Sequence, residues 1–223
     1  MSIDLRNPDF SAAVFDLDGT LFDSMTFWNE LDARFLKRRG VEPVPEDYLL
    51  AIAHLGAVET AKYTIERFGL DATPGELMAE WHSDAVRYYS EEVSLKAGAD
   101  GYLRFLHGKG VKLAVATASS REIYMPALER CGITELFSAC AEVGECARRK
   151  GFPDVYELAC SRMGASVAET VVFEDIYVAV KGAKSGGFRT VGVYDETSAR
   201  DAELIKAEAD EYITGFSELY GQN

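Results

Sequence analysis

Residues 11–20 read Ser11-Ala12-Ala13-Val14-Phe15-Asp16-Leu17-Asp18-Gly19-Thr20. A short apolar run ends here in two acids, two positions apart. Uninterrupted apolar runs of this length are how strands buried on both faces of a parallel sheet read. The Asp18-Gly19 pair alone is accounted for by a turn, since both residues favour turns. Asp16 is not, because a carboxylate at the tail of a buried strand is costly unless it is paired or holds a metal. With average residue usage a D-x-D-G-T string arises at roughly 10⁻⁵ per position, so chance explains it poorly in a chain of 223 residues.

Similar runs recur over 111–116, 170–173 and 190–193, and helix-period segments lie over 121–131, 153–163 and 177–185. Strand alternating with helix predicts βαβ units and a parallel sheet, an α/β fold of the Rossmann-like kind. Residues 24–93 break that alternation. They carry helical patterns over 27–38, 45–55, 58–68 and 75–89, with breaks at 40–45 and 69–75 and no convincing strand. The expected organisation is a core formed by 1–23 and 94–223 and a helical insert over 24–93. Near the end, 199–209 reads as an acidic surface helix and 211–213 as a short strand.

Composition narrows the function. Asp and Glu number 37 against 23 Lys and Arg, a formal net charge of −14. That balance repels phosphate backbones and anionic lipid, which argues against nucleic-acid binding and against a polybasic membrane anchor. No 18 consecutive apolar residues occur, and the opening stretch MSIDLRNPDF lacks the apolar run of a signal peptide. Cys131, Cys140, Cys146 and Cys160 form no C-x-x-C pair and lie far from His54, His82 and His107, so zinc spacing is missing. Reduced thiols in a cytoplasmic protein are the expectation.

Three further strand ends carry chemistry. After the second strand comes Thr117-Ala118-Ser119-Ser120-Arg121, where a hydroxyl and backbone N–H groups at a helix start suit a phosphoryl oxygen. Ser or Thr in that place is ordinarily an N-cap. Ser119 or Ser120 is the expected cap, which leaves Thr117 for a ligand. Lys150 sits in Arg148-Arg149-Lys150-Gly151-Phe152-Pro153, and in isolation such a triplet reads as a solvated patch. Phe173-Glu174-Asp175 closes another strand with adjacent acids. Mg²⁺ takes oxygen ligands and is typically held by one or two carboxylates together with substrate phosphate. The order of these elements, acid pair, hydroxyl, lysine, acid pair, is more specific than any one of them.

In that order the chain resembles the haloacid dehalogenase superfamily, in its phosphatase and phosphomutase branch with a helical cap after the first strand. The resemblance spans nearly the whole chain. It implies Asp16 as nucleophile and Asp18 as general acid and base, with Thr117, the Ala118 amide and Lys150 binding the phosphoryl group. It implies Mg²⁺ as cofactor, held by Asp16, the Asp18 backbone carbonyl and Asp175, with Glu174 assisting. The chain departs from the family at Gly151, where relatives commonly have Pro, and at Ile176, where they commonly have Ser. Asp18 argues for a phosphoester, because the dehalogenase branch lacks this second acid.

The implied activity is a Mg²⁺-dependent phosphatase acting through an aspartyl-phosphate on a small phosphorylated metabolite, with a sugar phosphate as one candidate. A sugar phosphomutase is the alternative, although such relatives carry a His early in the first cap helix and Met25-Thr26-Phe27-Trp28-Asn29 has none. A non-catalytic binding protein would be expected to lose a motif acid, and none is lost. The insert is expected to act as a lid with hinges near 22–24 and 93–96. His54, Lys62, Arg67 and Arg87 are its candidate substrate readers, each of which also reads as a solvated helix face. His107 reads as a helix C-terminal residue, and a monomer is the expected state.

Overall fold

The computed structural model describes residues 3–52 and 55–219. The chain divides into two compact units, Met1–Met25 with Val93–Asn223, and Thr26–Glu92.

The first unit is built on six parallel strands: β1 (Ala12–Phe15), β2 (Lys112–Thr117), β3 (Phe137–Glu142), β4 (Thr170–Glu174), β5 (Arg189–Val193) and β6 (Glu211–Ile213). Their order is β3-β2-β1-β4-β5-β6. The chain builds outward from β1 through β2 to β3, then crosses back to place β4 on the other side. Phe15 therefore lies level with Val115 on one side and Phe173 on the other. In open α/β sheets, ligands bind beyond the carboxyl ends of strands at such a reversal. All residues of β1 and β4 are buried, which is why those segments are apolar runs rather than alternations.

Helices α5 (Ala99–Gly108), α6 (Arg121–Arg130), α7 (Asp154–Met163), α8 (Tyr177–Ser185) and α9 (Ala202–Glu208) complete this unit. The buried stripe of α7 is Val155, Tyr156, Ala159, Cys160 and Met163, the spacing of one helical face. It packs with Ala12, Val14, Ala114 and Ala116 of the sheet. Burial of a large side chain in such a cluster contributes about 1.5–3 kcal/mol. Elsewhere in the core Phe15 stacks on Phe173 with centroids 4.4 Å apart, and Tyr102 and Phe216 close around that pair.

The second unit holds most of α1 (Met25–Arg38), then α2 (Glu46–Ile52), α3 (Ala57–Phe68) and α4 (Pro74–Glu91). Phe27, Leu31 and Phe35 of α1 and Leu77, Trp81, Ala85 and Tyr89 of α4 recur every fourth residue and are buried. Thr73 starts α4 through a capping box: its hydroxyl accepts from the Glu76 N–H while Glu76 accepts from the Thr73 N–H.

Residues 22–24 and 93–96, named above as candidate hinges, run beside each other. Phe22 and Leu95 form an antiparallel bridge, the Asp23 N–H donates to the Ser94 carbonyl at 2.9 Å, and the Lys96 N–H donates to the Leu21 carbonyl at 2.8 Å.

Two features differ from the sequence reading. Strand β3 was not anticipated: it is the sheet edge, five of its six residues are only partly buried or exposed, and Ser138 and Glu142 interrupt any apolar run. The acidic segment expected over 199–209 begins as a 3₁₀ helix, Glu196–Asp201, before α9 takes over with Ile205 buried. No helix among the described residues is long and apolar enough to cross a membrane.

Candidate active site

Asp16 follows β1 directly, and its N–H donates to the Phe173 carbonyl of β4 at 3.1 Å. That bond ties the end of β1 to the strand carrying Glu174 and leading into Asp175. The three acids are buried, and each offers an oxygen within 4.8 Å of the others.

Lys150 completes the cluster. Its Nζ donates to Asp16 Oδ1 and, at 2.6 Å, to Glu174 Oε1, with only 11% of its side chain exposed. The basic triplet is thus split. Arg148 stays outside, paired with Asp154 at 2.8 Å and lying 4.5 Å over Phe152, while Lys150 turns inward. The loop can do so because α8 presents Gly182 to it: a β-carbon there would lie 2.1 Å from the Lys150 carbonyl oxygen.

Electrostatics follow from three acids sharing one base. Burial pushes the Asp16 carboxyl well above its usual range; Glu174, Asp175 and Asp18 push it further, and Lys150 opposes them. Asp175 is pushed up to about 7, by burial first and the Glu174 charge second. Burial works against the Lys150 charge, but Asp16 and Glu174 outweigh it and its pKa is raised.

Glu174 Oε2 and Asp175 Oδ2 are fully buried and have no hydrogen-bond partner among the described residues. A buried carboxylate oxygen without a donor is costly. A hard divalent cation that takes oxygen ligands, Mg²⁺ among them, is what this donor set fits. Gly19 closes over the same place. Its φ is +82°, and a β-carbon there would lie 2.3 Å from Asp175 Oδ2. Thr20 donates its hydroxyl to Asp175 Oδ1 at 3.2 Å.

Asp18 stands apart from the three clustered acids. Ser24 Oγ donates to its Oδ1 and Ser119 Oγ to its Oδ2, both at 2.7 Å. The capping expected after β2 is met in position only. Ser120 takes the N-cap position of α6 but makes no capping bond through its side chain. Ser119 faces Asp18 instead, and Thr117, expected to be free for a ligand, accepts the Ser119 N–H on its hydroxyl at 3.0 Å. Ala118 is exposed between them. Ser24, Ser119 and Tyr156, which donates to Glu174 at 2.7 Å, are site residues that the motif reading missed. Only the order of residues around a motif is visible in sequence, and these bonds are made across the fold or around a turn.

Of the candidate substrate readers, His54 lies outside the described residues. Lys62 is exposed on α3, Arg67 pairs with Asp47 and Arg87 with Asp84, each at 3.0 Å. His107 occupies the last turn of α5.

Residues 13–193 match the family model of haloacid dehalogenase-like hydrolases. Validoxylamine A 7'-phosphate phosphatase of Streptomyces hygroscopicus subsp. limoneus is 28% identical over 214 residues, covering 94% of this chain and 96% of the relative. A phosphorylated carbohydrates phosphatase of Thermotoga maritima is 26% identical, covering 81% and 83%. A solved structure from Thermotoga maritima assigned as a β-phosphoglucomutase superposes with a TM-score of 0.80 at 26% identity, covering 94% and 96%. The chain belongs to the haloacid dehalogenase-like hydrolases, in the branch that holds the phosphatases and β-phosphoglucomutase-like proteins.

Proposed function

We propose that the chain is a Mg²⁺-dependent phosphatase that hydrolyses a small phosphorylated metabolite, a carbohydrate phosphate by preference, through an aspartyl-phosphate on Asp16. The observation that carries this is the convergence of Asp16, Glu174 and Asp175 around Lys150, with two buried carboxylate oxygens that have no donor among the described residues. The relatives support the class of substrate: both are named as phosphatases of small phosphorylated compounds, and one of them for phosphorylated carbohydrates.

Phosphoryl transfer asks for an in-line nucleophile, neutralisation of the equatorial oxygens and a proton for the leaving group. An Asp16 carboxylate oxygen attacks phosphorus, the ester P–O bond breaks, and the departing alkoxide takes a proton from Asp18. Asp18 then accepts a proton from water, which attacks the phosphorus of the aspartyl-phosphate, releasing inorganic phosphate and the Asp16 carboxylate. Ser24 and Ser119 hold Asp18 by one oxygen each, which limits the directions in which it exchanges that proton. Lys150 has three N–H donors, two of them engaged by Asp16 and Glu174, and the third serves a phosphoryl oxygen. Thr117 keeps a hydroxyl proton to donate, and the Ala118 N–H stands beside it. Asp16, Asp175 and the Asp18 carbonyl would hold the cation with help from Glu174; when bound it supplies positive charge to the carboxylates and the phosphoryl oxygens. The division into a core of 1–23 and 94–223 and a helical cap over 24–93, cytoplasmic and monomeric, belongs to the same proposal.

A second reading, a sugar phosphomutase, draws on the likeness to the structure assigned as a β-phosphoglucomutase. Inorganic phosphate release from carbohydrate phosphates and p-nitrophenyl phosphate, with Mg²⁺ or EDTA, separates the two. Metal-dependent release that vanishes in Asp16→Asn supports the phosphatase. No release, with bisphosphate-primed conversion of a sugar 1-phosphate to the 6-phosphate, replaces it by the mutase.

A further inference from the structure

Glu174 is served unevenly. Lys150 Nζ at 2.6 Å and the Tyr156 hydroxyl at 2.7 Å both donate to Oε1, while Oε2 is buried with no donor among the described residues. The two donors differ in what holds them. Lys150 reaches the site on a flexible four-carbon stem and is shared with Asp16. Tyr156 is fully buried on the inner face of α7, inside the cluster that includes Ala12, Val14 and Ala114, and its ring meets Phe188 edge-on with centroids 6.1 Å apart. A ring enclosed on all sides in a close-packed interior has no second position for its hydroxyl. Its hydroxyl is therefore a fixed donor delivered from the core to the floor of the site.

A carboxylate held only by Lys150 would be free to turn whenever a phosphoryl group drew the ammonium toward itself. One held by Tyr156 keeps its orientation while Lys150 moves. We propose that Tyr156 is a positioning residue of the metal centre: its phenol pins Oε1 of Glu174 and thereby aims Oε2 at the divalent cation. This rests on the metal-dependent reading above and adds to it a residue that contacts neither substrate nor ion. Groups that hydrogen-bond a ligating carboxylate orient it, and losing one typically costs about 10–100-fold in metal affinity.

The test compares the wild type, Tyr156→Phe, Glu174→Gln and the double variant in Mg²⁺ titrations followed by calorimetry and by the melting temperature. Phe keeps the ring and removes only the hydroxyl. Tyr156→Phe should bind Mg²⁺ about 10–100-fold more weakly. Its kcat should recover at saturating Mg²⁺, which a merely structural defect would not allow. Within the Glu174→Gln background, the further change to Phe should alter Mg²⁺ affinity by less than about twofold, since the coupled partner is already gone. Wild-type affinity in Tyr156→Phe, or an activity loss that no Mg²⁺ concentration restores, overturns the proposal. If the wild type itself shows no response to Mg²⁺, the metal-dependent reading falls and this proposal with it. A wild-type crystal soaked in Mn²⁺ gives an independent answer should the Phe variant not fold: Oε1 on Tyr156 with Oε2 turned to the ion supports it, and Oε1 facing the ion overturns it.

Discussion

Ser119 Oγ donates to Asp18 Oδ2 at 2.7 Å, joining two residues 101 positions apart in sequence. Ser24 Oγ holds the other oxygen at the same distance. Hydrogen bonds to charged groups contribute about 1.5–3 kcal/mol, so Ser119→Ala should lower kcat by about tenfold while leaving KM for substrate nearly unchanged. The double Ser24→Ala/Ser119→Ala variant should lose more than either alone. Steady-state kinetics on the best phosphate ester checks both, and single variants with wild-type kcat would show that Asp18 needs no holding.

Gly19→Ala should be damaging twice over. Its φ of +82° costs an L-residue roughly 1–2 kcal/mol. The new methyl would also collide with Asp175 Oδ2 at 2.3 Å. The expected result is a protein with a modestly lower melting temperature and a much weaker response to Mg²⁺. Thermal unfolding with and without Mg²⁺ separates the backbone effect from the displaced carboxylate.

Lys96 and Asp195 form an ion pair at 2.9 Å with 14% and 6% of their side chains exposed. Lys96 also donates to the Tyr194 carbonyl at 2.7 Å, and Asp195 accepts the Thr197 N–H and hydroxyl. Replacing Lys96 by Met leaves the Asp195 charge buried with no cation beside it and only the Thr197 N–H and hydroxyl as donors. Breaking such a pair destabilises by about 3 kcal/mol, measurable as a shifted denaturant midpoint in the first unit.

Asp32 in α1 has its carboxyl pushed up to about 6, by burial first, with the Tyr48 hydroxyl at 3.5 Å opposing the rise. A folded-state pKa above the unfolded value means that the contribution of Asp32 is fully present below about 4 and is lost as pH rises through about 6. Asp32→Asn should remove that decline. Relative to its own value at pH 4, the variant should gain on the order of 1–2 kcal/mol over the wild type by pH 7, after allowance for partial exposure. Urea unfolding at several pH values reads the difference, and parallel curves for the two proteins would contradict it.

Much of this arrangement was legible in sequence for a physical reason. Buried strands must be apolar, so acids at their tails stand out, and Asp16, Glu174 and Asp175 are visible as charges where charge is costly. The same logic hid β3, because an edge strand with Ser138 and Glu142 half in water has no need to be apolar. It also hid Tyr156, whose ring reads as one more core residue of α7 while its hydroxyl reaches Glu174. The bond that the Thr117 hydroxyl accepts from the Ser119 N–H was hidden for another reason: it depends on how the chain turns after β2.

The antiparallel bridge at Phe22 and Leu95 has an evolutionary consequence. The chain departs from the sheet unit and returns to it at neighbouring points, with the Asp23 N–H 2.9 Å from the Ser94 carbonyl. Everything between is topologically a loop, replaceable in principle by a tight hairpin without re-threading any strand. A gene built this way can exchange its insert by recombination while the acids at the strand ends stay in register. Under the proposed reading, in which the insert meets the substrate, selection on what is turned over and selection on how it is turned over would act on separate stretches of DNA.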